Sequence, residues 1–175
     1  KITPVYMFTV PGLVYVEKYI SYFEKYYSVK FIKIPHYVLL QRQKKSFNLS
    51  KLIIDIKNKT GINYCCLGFK KSDSLNRNLM LNAIKKDSYI DIKTNNYYPL
   101  ADLNNKQVMT LIKNNNLLEP KSFGNAKSMG ENPNDVSWLL YLKEHWPQDF
   151  KRTLELFPES RIILKRHEIL KDRDC

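Results

Sequence analysis

Apolar residues in this chain fall into short dense runs separated by stripes of helical spacing. The first run, Pro4–Val10 (PVYMFTV), mixes β-branched and aromatic side chains and predicts a buried strand. Pro11-Gly12 interrupts it. From Val14 to Tyr27 the spacing changes: Val16, Tyr19, Ile20, Phe23 and Tyr27 recur three and four apart, on one face of a helix. Ser28 ends that helix, and Val29–Ile34 reads as a second strand stopped by Pro35. Strand, helix and strand within about 30 residues is the pattern of a βαβ unit with parallel strands.

The alternation continues. Residues 36–50 are irregular and carry the basic stretch Gln41-Arg42-Gln43-Lys44-Lys45, which predicts a loop. Leu49, Leu52, Ile53 and Ile56 mark a helix over Leu49–Lys59. Asn63–Phe69 (NYCCLGF) reads as a strand, and Asn76–Lys85 as a helix with Leu79, Met80, Ala83 and Ile84 turned inward. Tyr97-Tyr98-Pro99-Leu100 is a strand or strand end. Asp102 is placed to cap a helix over Leu103–Asn115, whose buried stripe is Val108, Leu111 and Ile112. Residues 119–135, with Pro120, Gly124, Gly130 and Pro133, form the longest loop-like stretch. Val136–His145 and Gln148–Leu156 read as helices split by Pro147, and the charged tail Arg161–Cys175 is compatible with a further helix. No internal repeat is present. The order predicts a single domain over residues 1–175, α/β early and mostly helical later.

Composition agrees with a folded chain. Hydrophobic residues make up 43% of the 175, enough for a packed core. No apolar run approaches the roughly 18 residues needed to cross a bilayer, and no secretory signal pattern opens the sequence. The three cysteines, Cys65, Cys66 and Cys175, are too few for a disulfide framework, and the adjacent pair would close a strained ring. This predicts a reducing, cytoplasmic setting. Lys and Arg number 29 against 17 Asp and Glu, a net charge of +12. That surplus asks for an anionic partner, nucleotide or nucleic acid, or else is a solvated basic surface.

Candidate chemistry concentrates in Gly68-Phe69-Lys70-Lys71-Ser72-Asp73-Ser74-Leu75-Asn76-Arg77. A strand end, two lysines, hydroxyls and an arginine precede a helix start. In parallel α/β folds ligands bind at strand C-termini, and a helix N-terminus adds backbone donors and a positive dipole end. That set suits phosphate or sulfate; the plainer alternative is a solvated basic turn with Ser74 as a cap. His145 and His167 lack a second His or Cys at zinc-ligand spacing. Residues 121–131 (KSFGNAKSMGE), with Lys121 and Lys127, can fold over a phosphate or form an ordinary loop. Tyrosines and lysines interleave at Tyr15, Lys18, Tyr19, Tyr22, Lys25 and Tyr26. The pattern suits a nucleic-acid surface, but at helical spacing it fits a core-facing stripe with snorkelling lysines better.

Three blocks together resemble the phosphoadenylyl-sulfate (PAPS) reductase family of the adenine nucleotide α-hydrolase-like group, particularly its phage-type relatives. They are Pro4–His36, the stretch GFKKSDSLNR, and Tyr98–Val108 (YPLADLNNKQV). The second is similar to the family's anion loop, and the third to its Pro-Ile/Leu-x-Asp-Trp strand-to-helix segment. The resemblance implies a parallel sheet with helices on both faces and a helical C-terminal part. It implies an adenine nucleotide or adenosine phosphosulfate as ligand. Lys70, Lys71, Ser74 and Arg77 would contact its phosphate or sulfate, and Thr9, Val10 and Gly12 would lie beside the nucleotide. Where family members often have Asp-Thr-Gly, Val10 and Pro11 stand here, which leaves adenosine contacts from this turn to backbone groups.

Two family features are missing from the pattern. The Ser-Gly-Gly-x-Asp-Ser pyrophosphate loop, expected before the PVYMFTV strand, is not in this sequence. The expectation is a fragment of a longer protein or a relative without nucleotide chemistry; Lys1 in place of Met favours the fragment. The reductases' catalytic Cys sits in a Glu-Cys-Gly-x-His tail, whereas Cys175 follows Asp172-Arg173-Asp174. It is the one candidate for the nucleophilic thiolate. In the family's iron–sulfur branch a Cys-Cys pair precedes the basic loop, as Cys65-Cys66 does here, but a 4Fe-4S cluster needs four thiolates and this sequence has three. An active relative would reduce or transfer the sulfo group, or carry out adenylyl chemistry. The alternative is a non-catalytic module of the same fold that engages nucleic acid or a protein through its basic face.

Overall fold

The computed structural model describes residues 2–42, 48–119 and 131–173. The chain is mixed α/β with small sheets and a helical C-terminal part. Its contacts divide it into two units, Lys1–Ser46 with Lys121–Cys175, and Phe47–Pro120.

In the first unit, β1 (Val5–Phe8) and β2 (Ile32–Pro35) pair in parallel, with Val5 opposite Ile32 and Phe8 opposite Pro35. Helix α1 (Val14–Tyr27) crosses between them, and Ser28 closes it in the left-handed conformation at φ 51°. The βαβ pattern in the sequence therefore forms. Helix α2 (Tyr37–Arg42) occupies residues expected to be a loop. The amides of Leu39 and Leu40 bond to the His36 carbonyl, and Leu39 is buried in the core, so one leucine anchors a turn that the basic composition hides. Helices α6 (Val136–His145), α7 (Pro147–Leu156) and α8 (Ser160–Arg173) complete the unit. The core joins Val10, Leu13, Tyr15 and Leu39 to Trp138, Leu139, Leu142 and Phe157. Trp138 is fully buried, and its Nε1 donates to the Tyr15 hydroxyl at 2.9 Å. Tyr27, the last residue of the α1 stripe, is exposed, and so are Tyr22 and Tyr26 of the tyrosine–lysine pattern, which therefore do not face the core.

In the second unit, α3 (Leu49–Thr60) opens on Asn48, whose side chain accepts from the Lys51 amide, and closes on Gly61 at φ 67°. Strands β3 (Cys65–Cys66), β4 (Ile90–Asp91) and β5 (Asn96–Tyr97) form a sheet of order β3-β5-β4. β3 runs parallel to β5, and β4 antiparallel to it. The strand expected over Asn63–Phe69 narrows to two residues because its partner β5 is only two residues long. Helices α4 (Leu75–Ala83) and α5 (Asn105–Asn114) follow the sheet segments. Leu81, Tyr98 and Ala101 are the buried core, flanked by Leu67, Phe69, Ile84 and Tyr89. Leu79 and Met80 are exposed rather than inward; Leu81 is the residue of α4 that packs.

The cap of α5 is Asn104, not Asp102. Asn104 Oδ1 accepts from the Gln107 amide at 2.9 Å, and Gln107 Oε1 accepts from the Asn104 amide at 2.8 Å. This reciprocal box satisfies the helix end with residues adjacent to it. Asp102, three residues upstream of the helix, is left for another role. Among the described residues no helix is long and apolar enough to cross a membrane.

Candidate functional site

The basic loop lies between β3 and α4. Lys71–Asp73 make a short 3-10 turn, and the Lys71 amide donates to the Ala101 carbonyl at 3.0 Å. Ser74 is extended and starts α4, accepting from the Arg77 amide at 3.3 Å. Its hydroxyl therefore caps the helix, as the plainer sequence reading held. The loop's strand-side neighbour Phe69 packs on Tyr98 at 5.9 Å between ring centres, which ties the loop to the core.

The four residues expected at the anion site divide into two groups. Lys70 and Arg77 converge on one carboxylate: Lys70 Nζ is 2.7 Å from Asp73 Oδ1, and Arg77 Nη1 is 2.9 Å from Asp73 Oδ2. The Lys70 amide also donates to Asp73 Oδ2 at 2.9 Å. Burial by itself would raise the Asp73 carboxyl. Hydrogen bonds from Lys70 and Arg77 outweigh it and hold the group below the usual carboxylate range. The Arg77 guanidinium also lies over the Phe69 ring, 4.0 Å from its centre.

Lys71 is held elsewhere. Its Nζ donates to Asp102 Oδ1 at 2.7 Å and to the Tyr89 hydroxyl at 2.9 Å, and Tyr89 donates to Asp102 Oδ2 at 2.5 Å. The bonds to Asp102 and Tyr89 raise the Lys71 pKa, and those from Lys71 and Tyr89 lower that of Asp102. Neither Tyr89 nor Asp102 was visible in the sequence as part of this cluster. The only signal was that Asp102 belongs to the third block of the family resemblance. Three cations against two carboxylates leave the cluster one net positive charge.

The other candidate residues sit in the first unit. Thr9, Val10 and Gly12 form the turn from β1 into α1. Here the chain supplies its own anions. Glu131 Oε2 accepts from the Thr9 and Val10 amides, both at 3.3 Å. Asp149 accepts from the amides of Val14 at 2.9 Å and Tyr15 at 3.0 Å. Burial pushes the Glu131 carboxyl up to about 7, against the opposing pull of the two amides. Gly12 has φ 66°, and a Cβ there would lie 2.8 Å from the Arg152 guanidinium. Arg152 donates to the Pro11 and Gly12 carbonyls, so this turn needs both the left-handed conformation and the missing side chain.

Cys65 is half-buried and Cys66 exposed. Neighbours on a strand point to opposite faces, which works against both thiolates binding one cluster. Burial raises the Cys65 thiol pKa, so its thiolate is disfavoured. Cys175 and residues 121–130 lie outside the described residues. Comparison with protein-family models, with curated proteins and with solved structures finds no match to this chain.

Proposed function

We propose that the chain binds an adenine sulfonucleotide, as in the PAPS-reductase-like proteins it resembles, with the loop Gly68–Arg77 seating the phosphate or sulfate. On this reading the two small sheets are parts of an adenine nucleotide α-hydrolase-like fold. The convergence of Lys70 and Arg77 on Asp73 at the start of α4 carries the proposal. Two cations share one carboxylate, so their remaining N–H groups are held close together with surplus charge. An ammonium offers three donors and a guanidinium five, and Asp73 takes only part of them. An oxyanion added beside this pair gains charge-assisted bonds and the amides of the α4 N-terminus.

Reduction of the bound sulfo group would need a thiolate nucleophile. The raised Cys65 thiol is poorly suited to that, so binding is the part of the activity that the described residues support.

Calorimetric titration with adenosine 3′-phosphate 5′-phosphosulfate, adenosine 5′-phosphosulfate and ATP tests the proposal. Saturable binding is expected. Lys70→Ala or Arg77→Ala should each weaken it by about tenfold, the scale of one charge-assisted hydrogen bond. No heat at millimolar ligand would remove the proposal, and unchanged affinity in both variants would remove the site. A single-stranded oligonucleotide in the same titration distinguishes a general polyanion surface, whose affinity falls steeply with salt.

A further inference from the structure

We infer that Tyr89 and Asp102 are positioning residues for the Lys71 ammonium, and that the Asp102 charge tempers the affinity of the anion seat. This rests on the function proposed above and assigns two residues to it.

The three polar groups close a ring, with Lys71 Nζ on Asp102 Oδ1 at 2.7 Å and on Tyr89 at 2.9 Å, and Tyr89 on Asp102 Oδ2 at 2.5 Å. Each carboxylate oxygen has one donor. Lys71 Nζ also lies 4.9 Å from the centre of the Tyr89 ring. Two of the three ammonium N–H bonds are thus directed, and the third has no partner among the described residues. A lysine that would otherwise sample many rotamers is held with one donor to spare.

Three separate segments are needed for this. Lys71 follows β3, Tyr89 precedes β4, and Asp102 precedes α5. Tyr89 has φ 61°, directly after Ser88 at φ 54°. Left-handed backbone disfavours a bulky residue, and such strain persists only where the surroundings hold it. Here the Tyr89 amide donates to the Ile84 carbonyl at 3.2 Å, and its carbonyl accepts from the Tyr98 amide at 3.1 Å. Stability is a poor account of the ion pair. The Asp102 side chain is 58% exposed, and ion pairs in that setting contribute little. What the ring supplies is direction, and a negative charge held against Lys71.

Asparagine at 102 keeps an oxygen for Lys71 and removes the charge, whereas alanine removes both. In water, one negative charge about 5 Å from an anion lowers its affinity roughly fourfold at low salt, and that is the scale taken for Asp102. Asp102→Asn is therefore expected to bind adenosine 3′-phosphate 5′-phosphosulfate about fourfold more tightly than wild type. Asp102→Ala should bind no tighter than wild type, and Tyr89→Phe about threefold more weakly, within the usual worth of one hydrogen bond. A role in folding alone would not separate Asn from Ala in this way. Wild type, Asp102→Asn and Tyr89→Phe binding alike would overturn the inference and leave the proposed function standing.

A second measurement does not depend on the ligand. The Lys71 ε-carbon, followed by NMR against pH, should titrate above the ordinary lysine value in wild type and fall back in Asp102→Ala. An ordinary Lys71 titration in wild type overturns the positioning role. Failure of wild type to bind the nucleotide, with Lys71 still raised, would strike the proposed ligand and the affinity effect and keep the positioning.

Discussion

Asp149→Ala is expected to lower the stability of the unit that holds β1, α1 and the C-terminal helices by about 2–4 kcal/mol, as one buried and one partly buried amide lose their acceptor. Asp149 lies in the first turn of α7 and is 2% exposed. Its two oxygens accept from Val14 and Tyr15, the first amides of α1. The residue at the cap position itself is Leu13, which offers no side-chain acceptor. The cap therefore comes from a residue more than a hundred positions away, and its loss leaves the buried Tyr15 amide and the partly buried Val14 amide without this acceptor. Asp149→Asn retains one acceptor oxygen, so about half the effect is expected. Trp138 and Trp146, the chain's two tryptophans, both belong to this unit, so denaturant unfolding followed by tryptophan fluorescence reports on it selectively. A midpoint for Asp149→Ala equal to wild type would show that α1 finds its cap elsewhere.

The second large effect is on pH dependence. Glu131 is half-buried, and its pKa stands at about 7, against 4.5 for an ordinary glutamate. Desolvation is the main cause; the nearby Asp149 carboxylate adds to it, and the Thr9 and Val10 amides oppose it. The folded state therefore binds more protons than the unfolded state between these two values. Stability must fall as pH rises through that window and flatten above it. The span of about 2.5 pH units corresponds to about 3 kcal/mol. Glu131→Gln cannot ionise and still offers an oxygen to the two amides. The variant should lose this slope and exceed wild type in stability at pH 8. Unfolding midpoints by tryptophan fluorescence at pH 5, 6, 7 and 8 measure it. Parallel slopes for wild type and Glu131→Gln would mean that Glu131 does not carry the dependence.

Both predictions involve the β1–α1 turn, where the family resemblance expects nucleotide contacts. In this chain the amides of Thr9, Val10, Val14 and Tyr15 already donate to Glu131 and Asp149. The loop of Lys70, Lys71 and Arg77 keeps one net positive charge after its pairs with Asp73 and Asp102.

Several local patterns were legible where near neighbours determine structure, although the Asn104–Gln107 box was not. The parallel βαβ start followed from Pro4–Val10, the α1 stripe and Val29–Ile34, because periodicity is a property of adjacent residues; the second strand is Ile32–Pro35, so Pro35 pairs within it rather than stopping it. Ser74 as a helix cap followed for the same reason, since cap and accepted amide are three residues apart. The grouping of Lys70, Lys71, Ser74 and Arg77 as candidates also needed only ten consecutive residues.

Tertiary structure decided how those residues are used. Sequence marks Asp102 as a helix cap because an acid precedes a helical stripe. The adjacent Asn104–Gln107 box takes that task, and pairing of segments distant along the chain sets Asp102 against Lys71. Tyr89 joins them from a left-handed backbone that no composition pattern reveals. Leu39 turned an apparent loop into α2 by reaching the core, and Asp149 caps a helix 134 residues away. Spacing along one helix or loop settled which side chains share a neighbourhood. Which charge faces which, and hence which donors are left for an anion, depended on through-space contacts between segments that one-dimensional order does not encode.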